Sequence, residues 1–201
     1  MRLLIYLLIT VLLYGCQSGN NKEKYFYLDD FDSMDTGYPY GTVVYKAKKR
    51  GGFDTIIVSS DIVKYGENKS YIIALQRPNE ELAISEIKNR LELFYTGYKK
   101  YNYTNENFGY PRGTNKDILL KSLDSLVSIT KDSTEAYQIE AEKIFKKEPF
   151  YQKIFQNELN YYIIDKKADS VFGPLKYDEF ERLKQKKNIN VKFGDVLFWN
   201  W

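Results

Sequence analysis

The chain has 201 residues, 43% of them hydrophobic and 28% charged, with 30 Lys and Arg against 27 Asp and Glu. That is the length of one domain with a real core, and the near-neutral balance lacks the dominant basic face of a nucleic-acid binder. No His and a single Cys exclude Ser-His-Asp and Cys-His nucleophiles, His-ligated zinc, intramolecular disulfides and Cys-cluster metal sites.

The chain begins with Arg2 as a positive flank and an apolar run from Leu3 to Leu13, interrupted only by Thr10. A membrane span needs about 20 apolar residues, so this run has the proportions of a signal-peptide core. Leu13-Tyr14-Gly15-Cys16 follows. It resembles a bacterial lipobox, which is cleaved before the cysteine and whose thiol takes a diacylglycerol. Two or more acyl chains hold a protein stably on a membrane. The alternative is an unmodified cysteine behind an ordinary secretory signal. Gln17, rather than Asp, after Cys16 resembles lipoproteins delivered to the outer membrane. The expected organisation is a leader over 1–15, a flexible lipid-anchored tether over 16–24 and one α+β domain over 25–201.

Short β runs come first: Tyr25 to Leu28, Thr42 to Ala47, Thr55 to Val58, Ile62 to Tyr65 and Tyr71 to Leu75. An acidic loop follows the first, and turns are expected at Arg50-Gly51-Gly52 and Gly66 to Lys69. Several runs are apolar without alternation, which predicts burial on both faces under covering helices. After Pro78, Ile84, Ile87, Leu91, Phe94, Tyr98 and Tyr101 recur at helical spacing. Further helices are expected from Thr114 or Asn115 and from an Asp132-x-x-Glu135 capping box. Pro149 interrupts the last of these. The helical block over about 79–157 reads as an insertion in a small, mostly antiparallel sheet. Tyr161 to Asp165 and Val171 to Leu175 return to strand, and a C-terminal helix from Tyr177 to Lys187 packs on the sheet. Val191 to Phe193 and Val196 to Trp199 are expected as edge strands.

Ser70-Tyr71-Ile72-Ile73-Ala74 and Tyr161-Tyr162-Ile163-Ile164-Asp165-Lys166-Lys167, followed by Val171-Phe172-Gly173-Pro174-Leu175 and Asp178-Glu179-Phe180, resemble a family of small bacterial lipoproteins. Their shared domain has no assigned function. The resemblance covers about 25–76 and 159–189 and implies an envelope address and a sheet. It carries no catalytic residues.

Asp29, Asp30, Asp32 and Asp35 form the densest carboxylate group, without the spacing or glycine of a calcium loop. They read as a solvated loop, so no metal and no cofactor is expected. Ser59, Ser60 and Ser70 have no His to activate them. The basic groups Lys46, Lys48, Lys49, Arg50 and Lys184, Lys186, Lys187 read as solvated faces. An envelope hydrolase working through acids alone ranks last.

The unusual feature is 19 Tyr and 12 Phe. Tyrosine suits cores, protein interfaces and sugar platforms alike. The loops carrying Tyr38 and Tyr40, and Tyr98, Tyr101, Tyr103 and Tyr110, are the candidate binding surface. The expectation is a non-enzymatic binding protein anchored to the membrane through Cys16, with an envelope protein as partner. An inhibitor or immunity lipoprotein is its specific form, and a glycan binder is the alternative. No nucleic-acid partner is expected.

Five triplets also resemble the Asp-Ser/Thr-apolar acceptor for O-glycans of some Gram-negative envelopes: Asp32-Ser33-Met34, Asp54-Thr55-Ile56, Asp124-Ser125-Leu126, Asp132-Ser133-Thr134 and Asp169-Ser170-Val171. Chance also produces such triplets in a chain with this much Asp and Ser.

Overall fold

A computed structural model describes residues 24–29, 41–51, 55–101, 111 and 113–194. The class is α+β, as expected. The β part, however, is two antiparallel sheets rather than one. The first joins β1 (Lys24–Leu28), β2 (Val43–Ala47) and β3 (Thr55–Val58) in that order. The second joins β4 (Ile62–Glu67), β5 (Tyr71–Gln76), β6 (Asn160–Asp165) and β7 (Ser170–Leu175).

Side chains alternate across each strand, and the apolar runs use both faces. Ile72, Ala74, Tyr162 and Ile164 of the second sheet meet Val44 and Val58 of the first in one core. The rings of Tyr27 and Tyr65 stack within it at 4.3 Å. The opposite face of the second sheet carries Ile73 and Ile163. It is covered by Phe180 of a C-terminal helix and by Ile189 and Val191 beyond it. The sequence reading gave both faces to helices. In fact one face is covered by the other sheet.

Register explains one awkward assignment. Val44 faces Val58 and Tyr45 faces Ile56, so Ile57 is an extra residue in β3. This bulge lets Ile56 join Tyr45, Val43, Ala47 and Leu28 on the outer face while Val58 points inward.

The helical block leaves the sheet after β5 and returns at β6. It comprises α1 (Glu80–Tyr101), α2 (Lys116–Thr130), α3 (Ser133–Lys147) and α4 (Pro149–Ile154). Its core is separate: Ile87, Leu91 and Phe94 pack with Leu119, Leu123, Tyr137, Ala141, Ile144 and Phe145. Asn115 caps α2 by accepting from the amides of Asp117 and Ile118 at 3.0 and 3.2 Å. Asp132 caps α3 through the Thr134 amide at 2.8 Å. Among the described residues Asp132 takes the amide of Thr134 rather than of Glu135 and no bond returns from Glu135, so the helix is capped without the expected box. Pro149 stands at the first position of α4, where its missing N–H costs nothing, and Glu148 before it is extended.

The C-terminal helix is α5 (Tyr177–Lys186). Glu179 accepts from the Lys176 amide at 2.9 Å, and Asp178 and Glu179 lie in the first turn with Lys184 and Lys186 in the last, which suits the helix dipole. Val191 to Phe193 form no strand. The segment crosses β4 instead, bonding once from the Gly194 amide to the Tyr65 carbonyl at 2.9 Å. Gly66 lies not in the expected turn but within β4, paired with Ile73; it is glycine because a Cβ there would collide with the Lys192 carbonyl. The turn itself is made by Asn68, whose side chain accepts from the amides of Ser70 and Tyr71 at 2.8 Å each. Val196 to Trp199 lie outside the described residues.

Candidate functional site

Of the sequence-designated binding residues, Tyr98 is placed together with its surroundings. Tyr101 ends α1. Cys16, Tyr38, Tyr40, Tyr103 and Tyr110 lie outside the described residues.

Tyr98 is half-buried against the helical core, with the Lys116 ammonium 5.6 Å from its ring centre. One turn earlier on α1, Tyr95 donates to Asp124 of α2 at 2.7 Å. Lys99 reaches the same carboxylate oxygen at 2.8 Å and stands 5.6 Å over the Tyr95 ring. Burial, then the bond to Asp124, raises the Tyr95 phenol above its ordinary range. Lys99, then Tyr95, lowers the Asp124 carboxyl. The Tyr95 phenol therefore stays protonated and the Asp124 carboxyl charged at neutral pH, and the bond between them joins α1 to α2.

The exposed side of α2 also carries apolar residues that the sequence reading did not select, one in its first turn and one in its last. Ile118 and Ile129 of α2 are 69% and 73% exposed. Eleven residues is close to three helical turns, so both lie on one face. The signal was present: neither belongs to the stripe of Leu119, Leu120, Leu123, Leu126 and Val127.

A second concave feature is an open cleft of about 460 Å³ between β3 and the helical layer, walled by Ile57, Ala83, Phe150, Tyr151 and Phe155, with Glu86 and Arg90 at its side. Arg90 donates to one Glu86 oxygen through Nε at 3.0 Å and Nη2 at 2.8 Å. The pair satisfies itself, and the walls are aromatic and aliphatic. The cleft offers shape and apolar surface, with Ser59 also in its lining.

Polar groups deeper in the fold serve structure. Gln76, fully buried, donates to the Ser59 carbonyl at 2.9 Å and to Ser59 Oγ at 3.0 Å. Its Oε1 accepts from Asn160 at 3.0 Å and from Tyr162 at 3.1 Å. Burial raises the Tyr162 phenol, so it stays a donor. Ser59 Oγ thus accepts within an uncharged network.

The basic groups expected on solvated faces are partly committed inside the molecule. Lys46 is 19% exposed and bonds Asp169 at 2.7 Å. Lys187 lies 4.7 Å from the Phe172 ring centre and 3.7 Å from Asp165. Of the acidic loop, only Asp29 falls among the described residues. Among those residues no three His, Cys, Asp or Glu side chains gather as metal ligands, and no helix is long and apolar enough to cross a membrane.

No protein-family model matches the chain, no curated protein matches it, and no solved structure matches its fold.

Proposed function

We propose that this chain is a membrane-anchored lipoprotein of a Gram-negative cell envelope that binds another envelope protein and has no catalytic activity of its own. Cys16 carries the lipid, the outer membrane is the destination, and an inhibitor or immunity role is the specific form. The observation that carries the binding reading is the exposed face of Ile118 and Ile129 on α2, at whose first turn Lys116 covers Tyr98. Two large aliphatic side chains held in water on a rigid helix, with aromatic residues beside them, are what a protein interface uses as anchors. The chain between α1 and α2 carries Tyr103 and Tyr110.

The test is crosslinking in living cells, affinity recovery of the Cys16-anchored protein and mass spectrometry. One envelope protein recovered in near-stoichiometric yield, and lost on Ala replacement of Tyr98, Tyr101 and Tyr110, is the expected result. Recovery of no protein partner overturns the reading. Quenching of aromatic fluorescence by soluble oligosaccharide would then identify a glycan binder.

A further inference from the structure

The aspartates of this chain have unusual neighbours. Six of thirteen are followed directly by Ser or Thr, whereas none of fourteen glutamates and none of fourteen asparagines is. Ser and Thr together are one residue in ten, so chance places one after about one aspartate, which is the false-positive rate a short motif must beat. Cap and turn preferences do not account for the bias, because asparagine serves caps and turns as well as aspartate does. Asp124 makes the same point by position, since it lies in the interior of α2.

Among the described residues the fold uses the carboxylates of Asp124, Asp132 and Asp169 and leaves several of the hydroxyls idle. Asp124 accepts from Tyr95 and Lys99, and Asp132 caps α3. Thr55 at the start of β3, Ser125 on α2 and Ser133 at the start of α3 are exposed, and none of the three hydroxyls makes a hydrogen bond among the described residues. Ser170 differs: it is half-buried and donates to the Ala168 carbonyl at 3.1 Å.

We propose that Thr55 and Ser133 are acceptors for O-linked glycans, added by a transferase that reads the preceding Asp carboxylate; Ser125, seven residues from Ile118 on the same face of α2, is left to the partner-binding surface. The donor is a sugar carried on a diphosphate. The Ser or Thr oxygen bonds to the anomeric carbon, and the bond from that carbon to the diphosphate breaks. The diphosphate leaves with the electron pair, and the hydroxyl proton passes to a base of the transferase. A carboxylate on a one-carbon stem sits at a fixed distance from the next side chain. That accounts for Asp over Glu, and the charge accounts for Asp over Asn. The proposal shares export with the function proposed above but needs neither the lipid nor a protein partner.

The experiment uses the native protein, purified in detergent from the cells that make it, with intact-mass analysis and peptide fragmentation that keeps side-chain groups attached. The expected result is an excess over chain and acyl groups equal to whole sugar residues, mapped to Thr55 and Ser133. T55V and S133A should each lose one glycan, and S125A none, with unchanged circular dichroism. D132N keeps the helix cap and removes the charge, so it should lose the glycan on Ser133 alone. A mass fully accounted for by chain and acyl groups overturns the proposal. So do phosphate-sized increments, or a glycan that persists on Ser133 in D132N. Glycan without an acyl group would refute the anchor and leave this proposal standing; acyl group without glycan would do the reverse.

Discussion

Tyr25 donates its phenol hydrogen to Asp169 at 2.6 Å, linking the first strand of one sheet to the turn between the last two strands of the other. Lys46 of β2 bonds the second oxygen of the same carboxylate at 2.7 Å. One aspartate thus clamps the two sheets at their edge.

The clamp sets an acid limit on stability. Lys46, then Tyr25, lowers the Asp169 carboxyl. The Ala168 amide, with that of Lys167 and the Lys187 ammonium, lowers Asp165. Lys99 and Tyr95 do the same to Asp124. A carboxyl with a depressed folded value stabilises fully above its unfolded value, near 3.9, and loses that stabilisation as pH falls through the folded one. The urea midpoint should therefore fall between pH 5 and pH 2, and less steeply in D169N. Asp169 is half exposed, so water screens the pair and the flattening is small.

Gln76 is the most consequential buried polar residue. Gln76→Leu would leave the Asn160 amide and the Tyr162 hydroxyl facing apolar surface, at a cost of about 2–4 kcal/mol. Equilibrium urea unfolding measures it. The double variant with Tyr162→Phe should cost less than the sum of the two single changes, because one partner of a broken pair is then already gone.

Gly66 holds the C-terminal crossing in place. Gly66→Ala pushes a methyl into the Lys192 carbonyl, and the local shift should cost about 1–3 kcal/mol. Hydrogen exchange reads the same event locally: the Gly194 amide, bonded to Tyr65, should exchange much faster while amides of α3 keep their protection.

Ile118 and Ile129 should be silent for folding. Replacing either with Lys should change stability by less than about 0.5 kcal/mol while reducing recovery of the partner several-fold. Leu123→Ala, in the core of the same helix, supplies the contrast. Its side chain is fully buried, and its truncation should cost about 2–5 kcal/mol.

Most elements were legible because each has a local cause. The stripe from Ile87 to Phe94, the caps at Asn115 and Asp132, and Pro149 all act within a turn or two of chain. What covers a strand is not a local matter. Val43-Val44-Tyr45 and Ile72-Ile73-Ala74 announce burial on two faces, and a second sheet satisfies that demand as well as helices do. Gly66 reads as a turn residue because a glycine beside Glu, Asn and Lys usually is one, yet its reason is a backbone more than a hundred residues away. Gln76 and Asn160 carry no pattern at all, since their pairing follows from register. Among the binding candidates, Tyr98 was legible as helical stripe and as surface, and it serves partly as each. Ile118 and Ile129 carry no aromatic signal, and only their place off the buried stripe of α2 marks them.

The register of β5 and β6 has a modular consequence. Gln76 and Asn160 are direct partners across the ladder, so the chain leaves for the helices and comes back at positions one strand spacing apart, about 4.8 Å. A tight two-residue turn spans the same gap. The four helices hang from the sheet as a closed excursion with its own apolar interior. The length and content of that excursion are therefore independent of the strand pairing in either sheet.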